Sequence, residues 1–221
     1  MILSYSKTHP KDASLIALAV FNLALLAFRM AVTESLYYGF LIWNLVLAAV
    51  PYLVSWYLSE NQPLAQRKIP LLLFTALWLL FLPNAPYIIT DFLHFKRETG
   101  MPEWFDVLLL MSFAWNGIVL GFVSMQAMRQ FWHHVFGFFP SWLMVFGCTI
   151  LSGFGIYLGR YLRYNSWDIV SDPIALVSDI FPLFFDLRSI GFSLGYGLFF
   201  LLAFVFFSIH TDQQKSEPCH N

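Results

Sequence analysis

About six apolar blocks, most of them close to 20 residues long, divide this chain, and they restrict its fold more than any other feature. A helix needs about 20 apolar residues to cross roughly 30 Å of hydrocarbon at about 1.5 Å per residue. Blocks of this length are too long for one soluble domain. They are continuously apolar rather than alternating, which argues against a strand-based barrel. Charged residues make up 11% of the chain, against about 25% in a soluble domain. The expected fold is therefore all-α, a polytopic membrane bundle, with membrane lipids as its first partners. The net charge of −1 gives no sign of a nucleic-acid partner. Cys148, in an apolar run, and Cys219, near the C-terminal end, do not form a disulfide framework.

The first block, 13–30, follows a short polar start with Lys7 and Lys11. It is longer than the ~7–15 residue core of a signal peptide and has no clear small-x-small cleavage site, so it reads as a retained span. The second covers 36–58, with Ser35 as N-cap and a kink at Pro51. The third begins near Ile69, the fourth covers 107–125, the fifth 141–158 and the sixth 190–209. Residues 1–210 read as a single transmembrane domain and 211–221, "TDQQKSEPCHN", as a polar disordered tail. Between the last two blocks, Asp172 followed by Pro173 signals a helix start. The expected element there is a short interfacial helix, with a loop whose phenylalanines rest among headgroups as the alternative.

Positive charges do not choose an orientation. With six spans, one face carries Lys7, Lys11, Arg67, Lys68, Arg129 and Lys215; the other carries Arg29, Lys96, Arg97, Arg160, Arg163 and Arg188. Lys7 and Lys11 flank the first span, which leans the N-terminus to the cytoplasmic side. Nine of the 13 acidic residues fall on the opposite face.

The third block is broken by "FLPNAPYIITDFLH". Residues 69–82 give roughly 21 Å of helix, short of a bilayer core. The break therefore lies within the outer membrane region, where irregular backbone must be buried in protein or line a wet cavity. Pro86 removes a donor and clashes with a continuous helix. Asn84 is expected to cap a new short helix from about Ala85. In α register Tyr87, Asp91 and His94 then share one face, and Ile88, Phe92 and Phe95 another.

The fifth block ends at the same surface in "GIYLGRYLRYNSWD". Gly155 and Gly159 form a small-xxx-small pair that admits a close neighbour. Arg160, Arg163 and Tyr164 cluster on the continuing helix, followed by Asn165, Trp167 and Asp168. Two arginines this close are a receptor for carboxylate or phosphate. Glu103 and Asp106 share this surface.

Together, "LPNAPYIITDFLH" and "LGRYLRYNSWD" in a chain of this length and span number resemble the bacterial membrane family catalogued as domain of unknown function 1361. The resemblance implies a multi-pass protein of the bacterial cell membrane, and it transfers no catalytic role to any residue.

The candidate site is Asn84, Tyr87, Asp91, His94, Arg160, Arg163, Asn165 and Asp168. In one function it binds or transports an anionic lipid headgroup or small anion, held by the two arginines and oriented by Tyr87, Asn84 and Asn165. In the other, Asp91, His94 and Asp168 supply acid–base or metal chemistry to an enzyme acting on a lipid-linked phosphate or ester. No nucleophile motif or phosphate loop supports the enzyme, and no cofactor is called for. Asp91 and His94 supply two candidate metal ligands on one helical face, with Asp168 as a candidate third, and as a metal signal this is weak. A structural role stands beside both, with Asp91 pairing with an arginine to hold two helices. Asn22, Asn44 and Asn116 read as interhelical hydrogen-bond glue. Trp104, Trp132, Trp142 and Trp167 read as interfacial anchors, and His133 and His134 as part of a solvated loop.

Overall fold

The computed structural model describes residues 10–96, 100–164 and 173–216. In chain order the elements are α1 (Pro10–Thr33), α2 (Phe40–Glu60), the single turn α3 (Gln62–Ala65), α4 (Lys68–Phe81), the single turn α5 (Asn84–Tyr87), a 3₁₀ helix (Ile88–His94), α6 (Glu103–Phe136), α7 (Phe138–Tyr157), a π-helical turn (Leu158–Leu162), α8 (Pro173–Leu183) and α9 (Leu187–Ser216). The described residues contain six helical segments long and apolar enough to cross a membrane. The protein is an all-α, multi-pass membrane protein.

Helix α6 is the axis of the bundle. Its 34 residues span about 51 Å at ~1.5 Å per residue, so both ends protrude from the bilayer core. It packs against α1, α2, α5 and α7, and a larger share of it is buried than of any other span. Small residues make this possible. A Cβ at Gly117 would sit 2.6 Å from the Ala85 carbonyl oxygen, and one at Gly121 would sit 3.0 Å from the Ala85 Cβ. Along α1 the contacts run antiparallel: Arg29 meets Asp106, and Asn22 Nδ2 donates to the Ser112 carbonyl at 3.2 Å. Helices α7 and α9 also approach closely, Gly153 lying against the Ser193 carbonyl and Gly197 against Ile150.

Several expectations change. Trp132 is not an interfacial anchor: it is fully buried, donates to Thr75 Oγ1 at 2.9 Å and meets Trp78 edge-on. The reason is the length of α6, which carries Trp132 into the core formed with α4. Arg129, counted among the loop charges, lies in the same helix, buried, with its guanidinium carbon 4.9 Å from the Trp142 ring centroid. His133 and His134 are exposed in its last turn rather than in a loop. Basic side chains there suit the helix dipole. Asn116 is fully buried, but neither side-chain polar atom finds a partner among the described residues, so it supplies no glue. Ser35 does not cap α2; it accepts from the Tyr37 N–H in the preceding turn, and Gly39 precedes the helix. Helix α9 continues through Ser216, well past the apolar run, because Gln and Lys propagate an established helix readily. A short helix does begin at Pro173. Trp167, Asp172 and Cys219 lie outside the described residues.

Candidate functional site

The third span breaks where the prolines place the break, as a turn at Leu82 and Pro83. Leu82 (φ −53°, ψ −39°) and Pro83 (φ −57°, ψ −27°) stay right-handed helical. The hydrogen-bond register is what fails, because Pro83 and Pro86 have no N–H. The Ala85 N–H donates to Leu82 O, three residues back, at 3.1 Å. That leaves Phe81 O without its usual donor, and Asn84 Nδ2 fills the gap at 2.9 Å. Asn84 thus repairs the helix before it instead of capping the one after it; the N-cap position belongs to Pro83.

From Ile88 the backbone is 3₁₀, with three residues per turn, so side chains at i and i+3 eclipse. Two rows result, Tyr87 with Thr90 and Asp91 with His94. Arg160 lies across both. Its Nη2 is 3.0 Å from Asp91 Oδ1, its Nε donates to Thr90 Oγ1 at 3.0 Å, and its Nη2 also reaches Thr90 Oγ1. Nη1 donates to His94 Nε2 at 2.8 Å. The guanidinium carbon stands 4.6 Å from the Tyr87 ring centroid, a cation–π distance. The second Asp91 oxygen accepts from Asn44 Nδ2 at 2.7 Å. Asp91 is buried, so the pair is held by charge and by near-complete hydrogen bonding, the condition under which a buried ion pair persists.

Arg160 reaches this position from the π turn that ends α7. The glycine pair seats it: a Cβ at Gly155 would lie 2.6 Å from Pro83 Cγ, and one at Gly159 would lie 3.0 Å from Tyr87 Cε2. Pro83 and Tyr87, four residues apart, dock on Gly155 and Gly159, also four apart. The expected continuing helix does not form. Arg163 takes the left-handed conformation (φ 63°, ψ 27°), and its N–H bonds Leu158 O. It is exposed and makes no ion pair among the described residues. The two arginines therefore part: Arg160 joins Asp91 and His94, and Arg163 does not. Ile88, grouped with Phe92 and Phe95 on a face suited to lipid or to packing, takes the packing role. It is fully buried against Gly117, because 3₁₀ register turns it under the bundle. Asn165 and Asp168 lie outside the described residues.

A cavity of about 670 Å³ opens beside this cluster, between α2, α4 and α7. Asn44, Asn84, Tyr87 and Tyr164 line it near the surface. The Tyr164 hydroxyl donates to Asp179 Oδ2 of α8 at 2.7 Å. Asp91 and His94 are both engaged by Arg160, and among the described residues no three His, Cys, Asp or Glu side chains gather as metal ligands.

A second buried pair lies toward the same surface and was not legible as a pair. Arg29 Nε donates to Asp106 Oδ1 at 2.7 Å, both side chains being essentially without exposure, and its guanidinium carbon stands 4.4 Å from the Tyr38 ring centroid. Burial first, then the Asp106 carboxylate, pushes the Tyr38 phenol above its ordinary 10.0. Next to it, the Tyr37 hydroxyl donates to His94 O at 3.1 Å, so one short turn touches both ion-pair clusters. The sequence placed Arg29 and Asp106 at one surface, but nothing in it joined the two.

A family profile described as "Protein of unknown function (DUF1361)" matches residues 43–203. The chain belongs to the DUF1361 family. No match was found among curated proteins or among solved structures. The Arg160 cluster and the cavity lie within the DUF1361 region, whereas Arg29 precedes it.

Proposed function

We propose that this DUF1361 protein binds, and in binding presents or carries, an anionic lipid headgroup or small anion at the membrane surface where its third span breaks. One observation carries the reading. Arg163 stands exposed and without an ion pair among the described residues, held left-handed at the end of a π turn, and it directly precedes Tyr164 of the cavity wall. A non-glycine residue in that conformation costs on the order of 1–3 kcal/mol, and such strain gathers at functional sites. Arg160, by contrast, is neutralised by Asp91 and serves as the support on which Tyr87 rests. The enzyme reading needs Asp91 and His94 open to a substrate, and Arg160 occupies both.

The test is the thermal stability of purified protein in neutral detergent, with phosphatidylglycerol, phosphatidylcholine or glycerol 3-phosphate added. Phosphatidylglycerol should stabilise the wild type, and Arg163→Gln should remove most of that gain without lowering the basal midpoint. Equal stabilisation by phosphatidylcholine, or an unchanged response in Arg163→Gln, would refute an anion site.

We place the protein in the bacterial plasma membrane with its N-terminus cytoplasmic. Burial supports this side. Arg29, Arg160 and Arg129 are packed inside the protein, which leaves Lys7, Lys11, Arg67, Lys68 and Lys215 on the N-terminal face against Lys96, Arg97, Arg163 and Arg188. A reporter active only in the cytoplasm, fused to the C-terminus, should be active; with six spans, an inactive but intact fusion reverses the orientation.

A further inference from the structure

We infer that the ligand of this site is a lipid rather than a soluble anion: one acyl chain lies in the cavity between α2, α4 and α7, and the polar head meets Asn84, Tyr87 and Tyr164. The inference rests on the anion-binding reading and names its ligand class. The cavity, about 670 Å³, falls in the range of roughly 300–1,000 Å³ typical of small-molecule sites. Its polarity is one-sided. The deep end is Ala76, Leu77 and Leu151; the surface end is Asn84, Tyr87 and Tyr164. From residue 76 to residue 87 the third span rises about 16 Å at ~1.5 Å per residue. A phosphate-sized anion needs none of that length, whereas a chain lying parallel to the helices fills it.

The side walls point the same way. Trp43, Leu77 and Leu151 line the cavity yet are 54%, 44% and 48% exposed. In a bilayer, that exposure faces acyl chains, so a chain enters sideways without crossing water. The head end is already organised: Asn84 Nδ2 donates to Phe81 O and the Tyr164 hydroxyl to Asp179 Oδ2. Tyr87 is held between the Arg160 guanidinium and Gly159, and its hydroxyl has no hydrogen-bond partner among the described residues. A lipid already dissolved in the membrane gains little from the apolar wall itself, because hydrocarbon surrounds it on either side. What the wall supplies is registration, placing the head against Tyr87 and beside Arg163.

The experiment uses full-length protein from vesicles of equal phosphatidylglycerol and phosphatidylcholine, delipidated in neutral detergent and weighed by native mass spectrometry. The wild type should retain one phosphatidylglycerol per chain. Ala76→Trp fills the deep end from an exposed position, far from the head, and should lower retention at least about tenfold with the melting midpoint unchanged. Tyr87→Phe should lower it less. Lipids retained in several copies at the vesicle ratio, equally in wild type and Ala76→Trp, would mean annular lipid only and overturn the inference. Glycerol 3-phosphate binding that persists in Ala76→Trp, with no lipid retained by the wild type, would overturn the chain site while keeping the anion site. If one lipid is retained without preference for the anionic head, the chain site stands and the anion reading falls. If the wild type takes up neither lipid nor glycerol 3-phosphate, both are refuted.

Discussion

At the scale of single residues, the two arginines divide a task that their spacing assigned to both. Arg160 is saturated by Asp91, Thr90 and His94. Arg160→Gln strands the buried Asp91 and should cost on the order of 3–5 kcal/mol, whereas Arg160→Gln with Asp91→Asn should restore most of the stability. If the partner of Arg163 is the proposed ligand, no aspartate replacement should restore lipid binding to Arg163→Gln. A double-mutant cycle on thermal midpoints, with and without phosphatidylglycerol, checks both statements. A second expectation concerns Thr90, which accepts from Arg160 and donates to Tyr87 O at 2.6 Å. Thr90→Val leaves two buried groups short of a partner and should cost about 1–3 kcal/mol; an unchanged midpoint would show that Arg160 does not depend on it. The sequence showed Asp91, His94 and Arg160 as one constellation, since polar residues in apolar surroundings stand out. It did not show Thr90. Neighbouring residues stand about 100° apart in an α-helix and about 120° apart in this 3₁₀ helix, so Thr90 and Asp91 fall on adjacent rows in either register, and it is the reach of Arg160 across both rows that joins them. That reach follows from tertiary packing, which leaves no periodic mark.

At the scale of elements, the break and the glycine pair form one joint. The prolines and the i, i+4 glycines were legible because each excludes something: a donor in one case, a Cβ in the other. Which proline met which glycine was not, since that depends on how deeply two helices interlock. The joint gives a sharp contrast. Gly155→Ala drives a Cβ against the rigid Pro83 ring at 2.6 Å, and overpacking of this kind costs about 1–3 kcal/mol. Gly147, in the same helix, has nothing within 4 Å of an added Cβ. There Gly→Ala should be neutral, or stabilising by up to about 1 kcal/mol through helix propensity. Thermal midpoints of the two variants, measured side by side in one detergent, decide it. If Gly155→Ala is as benign as Gly147→Ala, then Pro83 does not dock on α7.

At the scale of the whole molecule, charge is sorted by depth. Arg29–Asp106 fastens α1 to α6, and Arg160–Asp91 fastens the third span to the fifth. Both pairs are buried, so salt cannot enter between their members. Arg163 is exposed, and on the proposed reading its anion would be met in the wet surface layer. Screening acts on the second situation and hardly on the first: the Debye length falls from about 10 Å at 0.1 M to about 3 Å at 1 M, while buried pairs are screened far less. Ligand-free protein in neutral detergent should therefore keep its thermal midpoint within about 2 °C between 0.1 and 1 M sodium chloride, a change of under roughly 1 kcal/mol for a chain of this size. The stabilisation by phosphatidylglycerol should shrink over the same range, and in Arg163→Gln the small remaining response should not depend on salt. A midpoint that drops steeply with salt in the absence of lipid would mean that exposed charge holds the bundle together. A lipid response indifferent to salt would mean that the head is recognised by hydrogen bonds from Asn84, Tyr87 and Tyr164 alone, with Arg163 a bystander.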